Sequence, residues 1–548
     1  MPSFQTDNLT LALASAIVLV LVISFKLRPS PPQAHPFLLG RQSVAAQTRL
    51  PDESAVYTNS GSSGARPAVR PEKNVCSLKD VLESSLTCLE GGERGTWIKG
   101  GERLADVIKA LRAGLLTKLG AGPGKVAVSI EDPTDALLVA LALATSPLKP
   151  VVVAPGSALP DAADITAIVH SSTKFVAARG ASANPDATIL ILGGEGDLAA
   201  DAQDLLAMGK TLVAGGEAPE AVAAEPSDVA LTIISDGIPL ELTHLNLTSA
   251  LVSWLAIFPA SPQSTKPTIK DTLVSFHHPS TPYGFGLALF GVFTSASLSF
   301  PPLPAEPTFE DVEAVFANRS SPSATLVFAP SSLLVQPLYT LILQKMLGDS
   351  SFIIRHARDG KLRLLREGSV SKQTIWDSLL FKGIRQDLTL HMLRAVFFDG
   401  PVEQSKLETF RCALGVPTVS LLSHTFLLAP LSAGNLWDVQ RLPPPGTTAL
   451  TGKEKAHVGP PATNVEIKLR GDEEEIATGR MRGEILLRSP LLPHPTSLPS
   501  SLLYIDRLLP QLPPYPGTSA SEEDNSSKWL RTGIKAEMGT EGTLWLSS

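Results

Sequence analysis

The first apolar run of the chain lies close to its N-terminus. Residues 9–25 read LTLALASAIVLVLVISF, 17 residues without a charged side chain. A run of this length is at the lower limit of what crosses a hydrocarbon core of about 30 Å as a helix. The pattern therefore predicts a transmembrane anchor over 9–25, with 1–8 as a lumenal tail.

Charged residues on either side of this run set its expected orientation. Asp7 is the charged side chain before the run, whereas Lys26, Arg28, Arg41 and Arg49 follow it. Because cytosolic flanks carry an excess of Lys and Arg, we expect a single-pass protein whose body is cytosolic, at the endoplasmic reticulum or another endomembrane. A cleavable signal peptide is the alternative, but the segment before the run lacks Lys and Arg, and no small-residue cleavage site follows.

The body of the chain shows two kinds of pattern after a linker. Residues 26–72 are rich in Pro, Ser, Gly and Ala, which predicts a semi-flexible tether. In 73–230, amphipathic helical stretches alternate with short apolar runs, which predicts a first α/β subdomain. Residues 231–436 repeat this alternation, and continuous apolar runs such as ATLVFAP and VPTVSLL are typical of buried parallel strands.

The pattern changes again in the last part of the chain. From 437 to 548, short strands separated by Pro and Gly turns predict a smaller β-rich subdomain, interrupted by a Pro-rich insertion at 490–516. The expected fold class is therefore α/β: two α/β subdomains with mostly parallel sheets plus a smaller β-rich subdomain, preceded by an N-terminal transmembrane helix.

Composition indicates a large folded core and excludes two classes of protein. Hydrophobic residues make up 43% of the chain and charged residues 18%, which favours a buried core over disorder. The 46 Lys and Arg against 53 Asp and Glu give a net charge of −7 without a dense basic stripe, so we expect no nucleic-acid partner. The 3 cysteines lack metal-type spacing and are too few for a disulfide-stapled secreted domain.

Five segments occur in the order of the motifs of one enzyme superfamily. They are GIPLELTHLNL at 237–247, FRCALGVPTVSLLSHTF at 410–426, HVGPPATNVEIKLRG at 457–471, GEILLRSP at 483–490 and KWLRTG at 528–533. The first resembles the end of TSGTTGxPKGVxLTHxNL, the phosphate-loop signature of acyl-adenylate-forming enzymes. The others resemble the motifs YGxTE, GxVGxPxPGxExK, GExxxRGP and WLHTGD. With the apolar N-terminal run, the resemblance is greatest to membrane-anchored long-chain acyl-CoA synthetases.

This resemblance implies a function and a site. Such enzymes use ATP and Mg²⁺ to convert a fatty acid to an acyl-adenylate, then pass the acyl group to coenzyme A. Positions that match the family's nucleotide-binding parts are Ser235, Gly237, Thr243, Gly400, Thr425, Trp529, Thr532 and Gly533. We expect these residues to mark the outline of a nucleotide site.

The charged and aromatic members of the motifs are replaced. The phosphate loop is shortened to ISDGIP at 234–239, no residue aligns with its Lys, and Asp236 adds negative charge. Leu422 stands for the adenine-stacking Tyr, Phe426 for the metal-binding Glu and Ile534 for the ribose-binding Asp. Phe426 has no oxygen ligand for Mg²⁺. We therefore expect a tight strand-to-helix turn at the shortened loop, no catalytic residue and no metal ligand.

Three other features have both a structural and a functional interpretation. The pair His277 and His278 favours loop packing over metal binding or acid–base chemistry. The apolar stretch 283–300 favours a core helix and strand over an acyl tunnel, and His424 favours core packing over a replacement metal ligand.

The resulting hypothesis is a membrane-anchored relative of long-chain fatty acid-CoA ligases whose ATP-dependent activity is weak or lost. Its expected partners are the lipid bilayer, fatty acyl chains and active members of the family, and ATP and Mg²⁺ are cofactors only if it is active. The sequence also ends at Ser548, before the family's C-terminal lid domain. The alternative is an active long-chain acyl-CoA synthetase that is truncated here or receives its lid from another chain; a membrane scaffold unrelated to this superfamily is a third hypothesis.

Overall fold

The computed structural model describes most of the chain, and its helices and strands are numbered here in chain order. The described residues are 7–26, 32–47, 49–62, 68–84, 104–120, 122–157, 165–171, 188–191, 198–217, 219–258, 266–317, 323–347, 352–440, 455–479, 481–493, 498–505 and 528–547.

The first sheet contains strands from the first half of the chain, in the order β6-β5-β3-β4-β7-β8. Strands β3 to β7 run parallel and β8 returns antiparallel to β7. The strands are β3 (Gly124–Ser129), β4 (Leu148–Val153), β5 (Ile165–His170), β6 (Thr188–Ile191), β7 (Val229–Ser235) and β8 (Ile238–Thr243). The helices around it are α3 (Leu78–Ser84), α4 (Leu104–Leu119), α5 (Pro133–Ala144) and α6 (Leu198–Ala214).

The second sheet has the order β10-β9-β11-β12-β13-β14. Its strands are parallel except for β14, which pairs antiparallel with β13. The strands are β9 (Thr272–Ser275), β10 (Ser297–Ser299), β11 (Leu326–Pro330), β12 (Ala395–Asp399), β13 (Thr418–Leu422) and β14 (Ser432–Ala433). The helices of this region are α7 (His244–Ala256), α8 (Pro282–Phe293), α9 (Phe309–Ala317), α10 (Ser331–Leu347), α11 (Phe352–Arg366), α12 (Lys382–Asp387) and α13 (Gln404–Leu414).

The third sheet is antiparallel and joins the two ends of the chain. Its order is β1-β2-β15-β16-β18-β17, with β19 also paired to β18. The strands are β1 (Ser43–Ala45), β2 (Tyr57–Asn59), β15 (Glu466–Arg470), β16 (Arg482–Arg488), β17 (Leu503–Ile505), β18 (Lys528–Met538) and β19 (Leu544–Leu546). The remaining helices are α1 (Asn8–Lys26), α2 (Pro36–Gly40) and α14 (Glu473–Ala477).

These three sheets confirm the predicted α/β class with a β-rich third part, but two boundaries differ. The predicted division at 230/231 falls inside β7, and the first sheet continues to the end of β8 at Thr243. The predicted tether over 26–72 contains β1 and β2, because Tyr57 pairs with Ile467 of β15 and extends the third sheet. Glu53 is buried there and forms an ion pair of 2.8 Å with Lys468. Part of the predicted Pro-rich insertion forms β17, and 506–516 lie outside the described residues.

The N-terminal apolar run forms helix α1, as predicted. Its large side chains are exposed, for example Leu9 at 69% and Leu21 at 62%. However, no helix in the described part of the chain is long and apolar enough to cross a membrane, so the predicted transmembrane anchor at 9–25 is not supported.

Helix α8 lies in the core between the first two sheets. Trp254 of α7 packs against Tyr283 and Phe290 of α8 with ring centroids 5.2 and 5.8 Å apart. Gly286 faces the backbone of residue 428, and a Cβ added there would lie 1.8 Å from the Leu428 carbonyl oxygen. The stretch 283–300 therefore belongs to the core, as the structural interpretation predicted.

Replacing Gly286 by alanine tests this close helix contact. The Gly286→Ala methyl group has no space, so we expect a loss of about 1–3 kcal/mol in the free energy of unfolding, as in other overpacked cores. Gly383→Ala in α12 is the matched control, because nothing lies within 4 Å of its added Cβ and alanine favours a helix. Chemical denaturation of both variants measures the difference, and equal stabilities would contradict the contact.

Helix α11 is held on the body by a buried cluster of charges. Lys361 Nζ lies 2.7 Å from Asp377 Oδ1, and Arg385 donates to the same oxygen at 2.6 Å. The Thr374 hydroxyl donates to the other carboxylate oxygen at 2.7 Å. Burial alone would raise the pKa of Asp377, but these three donors outweigh it and hold that pKa below its ordinary value.

Removing this one negative charge leaves two buried cations without a counter-ion. We expect Asp377→Asn to lower the free energy of unfolding by about 3–5 kcal/mol, as for other broken buried ion pairs. Asp359→Asn, on the exposed side of α11, is the control and should change it by less than about 0.5 kcal/mol. Thermal unfolding of the two variants compares them, and a stable Asp377→Asn protein would show that the cluster is dispensable.

Candidate functional site

Three of the motif segments meet in space. They are the turn between β7 and β8, the loop that follows β13, and a bulge in β18. Their approach follows from topology, because β7 and β13 belong to parallel sheets and loops at the carboxyl ends of such strands build ligand sites.

The shortened phosphate loop is a two-residue β-hairpin. Ser235 pairs with Ile238, and the two residues between them have positive φ, 50° at Asp236 and 76° at Gly237. Positive φ at both central positions defines a type I′ turn, for which Asp-Gly is a favoured pair. The prediction of a strand-to-helix turn was therefore wrong. The six-residue strand β8 separates the turn from α7.

This hairpin closes directly on the loop after β13. The Ser235 hydroxyl donates to the Thr425 carbonyl oxygen at 3.1 Å. A hydrogen bond of this length leaves no space for a phosphate group between the two atoms. Backbone donors that a long loop would wrap around an anion are replaced by a sheet ladder and a tight turn.

The surviving half of the motif, LTHLNL, has structural partners. Thr243 caps α7 by accepting from the Asn246 amide at 3.2 Å, while the Asn246 side chain accepts from the Thr243 amide at 2.7 Å. The Asn246 side chain also donates to the carbonyl oxygens of Pro490 and Leu492, at 2.7 and 2.8 Å. Thr243 thus lies at the far end of β8 from the hairpin turn, and the structure does not bring it to the other predicted site residues.

His244, the histidine of the same motif, joins α7 to α3. Its Nδ1 accepts from the Leu78 amide at 3.0 Å, and its side chain is buried. Burial lowers the pKa of His244 to about 4, so the ring is neutral at pH 7. The motif's polar side chains therefore fix helix positions.

The carboxyl ends of β12 and β13 carry a partly buried carboxylate. Asp399 accepts from the Ser423 amide at 2.8 Å and from its hydroxyl. Burial raises the pKa of Asp399, and the two Ser423 hydrogen bonds oppose that shift. The next residue, Gly400, has φ 104°, and a Cβ there would lie 2.5 Å from the Ser331 hydroxyl. Leu422, at the end of β13, is buried in the main core.

The loop after β13 carries two rings, those of His424 and Phe426. His424 hydrogen-bonds the Thr532 backbone and faces Asp236, and burial nevertheless lowers its pKa. Phe426 is buried at 5% exposure and packs edge-on against His424, with ring centroids 5.1 Å apart. His424 therefore bridges the loop to β18, which core packing alone did not predict.

The segment that resembles WLHTGD forms a bulge in β18. The register shifts opposite Ile485, and Gly533 occupies the left-handed region with φ 70°. The Thr532 hydroxyl donates to the Ile485 carbonyl at 2.8 Å and accepts from the Ile534 amide at 3.1 Å. Ile534 packs its partly buried side chain against the main core. These bonds shape the bulge itself.

Trp529 lies apart from this meeting point. It is fully buried, with Lys468 Nζ 4.7 Å and the Arg488 guanidinium 5.0 Å from its ring centroids. Both cations also pair with acids, Lys468 with Glu53 and Arg488 with Glu466. The Trp529 ring therefore packs against two paired cations within the third sheet.

Comparison with known proteins identifies the fold. No family model and no curated protein matches the chain. Among solved structures, a long-chain-fatty-acid-CoA ligase (FadD1) from Archaeoglobus fulgidus is similar at 16% identity and a TM-score of 0.56, over 88% of this chain and 85% of that one. The chain has the acyl-adenylate-forming fold.

Two other ligases support the same conclusion. The anthranilate CoA ligase AuaEII is similar at 14% identity and a TM-score of 0.55, over 88% of this chain and 78% of that one. A benzoate CoA ligase from Burkholderia xenovorans LB400 is similar at 14% identity and a TM-score of 0.52, over 86% of this chain and 79% of that one. The fold that the ordered motifs implied is therefore confirmed.

The residues at the meeting point do not fit a nucleotide with Mg²⁺. Within the described residues, no group of three or more His, Cys, Asp or Glu side chains could hold a metal ion. Phe426 and Ile534 present hydrocarbon where an acyl-adenylate-forming ligase has carboxylates. Burial lowers the pKa of His278 and His424, and that of His277 to about 3, so none of them supplies a positive charge at pH 7.

Asp399 is the residue of this site that sequence reasoning missed. An acid at the end of a buried parallel strand points to the edge of the sheet where ligands bind, so the run AVFFDG contained that signal.

The pair His277 and His278 packs as predicted: His278 contacts Ser280 at 2.7 Å and the Glu131 carbonyl at 3.2 Å, and His277 lies 4.6 Å from the Tyr283 ring.

The depressed pKa of His244 predicts a pH dependence of stability. Because the unfolded ring has a pKa near 6.5 and the folded ring about 4, protonation favours unfolding; the stabilising contribution is complete above pH 6.5 and falls by about 1.4 kcal/mol per unit towards pH 4. His244→Gln, which keeps an acceptor for Leu78, should flatten this part of the stability curve. Exposed His391→Gln should leave the curve unchanged. Urea unfolding between pH 4 and 8 measures both, and a His244→Gln curve parallel to that of the unmodified protein would refute the assignment.

Proposed function

We propose that this chain keeps the acyl-adenylate-forming fold without ATP-dependent ligase activity and acts by binding at a membrane. The observation that supports the first half is the hydrogen bond between the Ser235 hydroxyl and the Thr425 carbonyl oxygen, which joins the shortened loop directly to the loop after β13. The replacements at Phe426 and Ile534 agree with it, because neither side chain can bind Mg²⁺ or a ribose hydroxyl.

Magnitudes support a loss of activity rather than a slow enzyme. A lost hydrogen bond to a charged group is worth roughly 1.5–3 kcal/mol. The missing Lys, Glu and Asp together amount to roughly 5–9 kcal/mol, or about 10³ to 10⁶ in rate. These contributions are not additive, but closure of the phosphate space acts in the same direction.

The membrane half of the proposal comes from helix α1. Its apolar residues lie on all sides of the helix and remain 54–69% exposed where the structure describes them. An apolar surface this long is not found on the exterior of an ordinary monomer, and a lipid surface would cover it. We propose that α1 inserts into lipid and that the body is held beside it, where it binds acyl chains or a protein partner.

Calorimetry with ATP and Mg²⁺ tests the loss of nucleotide binding. We expect no heat of binding up to millimolar ATP, with an active ligase of this fold as the positive control. Micromolar affinity would contradict the proposal.

A double variant separates a closed site from one that lacks only two side chains. Phe426→Glu with Ile534→Asp returns both carboxylates but leaves the hairpin against Thr425. We expect this variant to remain without ATP affinity and without pyrophosphate release in the presence of a long-chain fatty acid. Recovery of either would show that the phosphate space is open, and pyrophosphate release by the unmodified protein would establish an active ligase.

A further inference from the structure

One helix of this acidic protein carries a local excess of positive charge. The chain has a net charge of −7, yet the last part of α11, RHARDGKLRLLR at 355–366, contains 4 Arg and 1 Lys against 1 Asp. The surrounding sequence hides this feature, because the basic residues are spaced two or three apart and are separated by residues of other kinds.

One of these five cations is buried and the other four are exposed. Lys361 points inward to Asp377, whereas Arg355, Arg358, Arg363 and Arg366 are exposed. At 100° per residue the four arginines fall within an arc of about 140° on one side of the helix, and the exposed Asp359 lies in the same arc, so four positive charges stand against one negative charge. None of them forms an ion pair with another residue in the described ranges. We call these four residues the arginine face.

Two apolar side chains lie on the segment that packs against α11. Leu379 is 67% exposed and belongs to the π-helical segment Asp377–Phe381, whose Asp377 pairs with Lys361 of α11. Trp376 is partly buried, and its ring lies 5.5 Å from that of His356 on α11. Arginines next to an exposed leucine and a tryptophan are typical of a surface that rests on the headgroups of a bilayer.

The arginine face also lies where the chain arrives from α1. The Gln33 amide donates to the Gly368 carbonyl at 3.2 Å, just after the end of α11. The Gln33 side chain exchanges two hydrogen bonds with the Val370 backbone, at 2.8 and 2.9 Å. Seven residue steps separate Lys26 from Gln33, which is at most about 25 Å of extended chain. A lipid surface that holds α1 is therefore within reach of the end of α11.

We infer that the arginine face, with Leu379, docks the body onto a bilayer that contains anionic phospholipid. This inference rests on the proposed insertion of α1 into lipid and adds the orientation of the body to it. Lipid is favoured over a soluble polyanion because the segment packed against α11 carries the exposed Leu379 and because the connection to α1 is short. Attraction of several arginines to an anionic surface is strong at low salt and falls as salt is raised.

Vesicle co-sedimentation of the full chain tests the inference. The two probes are vesicles of phosphatidylcholine alone and vesicles with about a third phosphatidylserine, at low and at high salt. We expect binding to both, with at least tenfold higher affinity for the anionic vesicles at low salt. Arg355→Gln with Arg363→Gln and Arg366→Gln should remove most of that gain and leave binding to neutral vesicles unchanged.

A control triple variant removes the same charge elsewhere. Lys109→Gln, Lys118→Gln and Lys266→Gln are exposed positions outside α11, and this variant should keep the gain. Equal loss in both triple variants would overturn the arginine face and indicate a response to net charge alone. Displacement of the protein from anionic vesicles by transfer RNA at equal charge concentration would also overturn the inference, because it would show that the arginines bind any polyanion equally well. Failure to bind neutral vesicles would instead contradict the proposed insertion of α1 into lipid. The proposals for α1 and for the arginine face are therefore contradicted by different results.

Discussion

The contact between Ser235 and Thr425 is the constraint on which the interpretation of this molecule depends. It exists because the loop between β7 and β8 is only two residues long, and two residues suffice for a hairpin but not for a cradle around an anion. Once the hairpin is this tight, its tip lies within hydrogen-bond distance of the loop after β13. His424 in the same loop interacts with Asp236 of the hairpin and with Thr532 in the bulge of β18, so segments of all three sheets are in contact here.

The motifs have survived unevenly, and the structure explains the difference. Thr243, His244 and Asn246 satisfy buried backbone groups of α3, α7 and the segment at 490–492, and loss of any of them would leave a buried polar group unpaired. Glu and Asp of the ligase motifs would have had to touch a nucleotide, and hydrocarbon side chains stand in their places. In this chain the side chains that satisfy buried backbone groups match the motif, and those that would meet a nucleotide do not.

The layered α/β fold and the family of folds could be predicted from sequence because continuous apolar runs and ordered motifs are local signals. The hairpin was missed because Asp-Gly suits several turns, and only the pairing of Ser235 with Ile238 distinguishes a type I′ turn from an entry into a helix. Asp399 was missed because its importance comes from Ser423, which lies in the loop after the neighbouring strand β13. The strands β1 and β2 were taken as linker since three-residue strands have too few positions to show alternation, and their partner Ile467 is about 400 residues away.

That distance matters for how the protein is made. Glu53 and Lys468 are 415 positions apart, and Tyr57 must find its place on a strand that leaves the ribosome long after it. During synthesis the early segment has unpaired edges until β15 has emerged. Both α/β layers can form in the meantime, so assembly of the last sheet becomes the step at which nascent molecules are most exposed to chaperones and to one another.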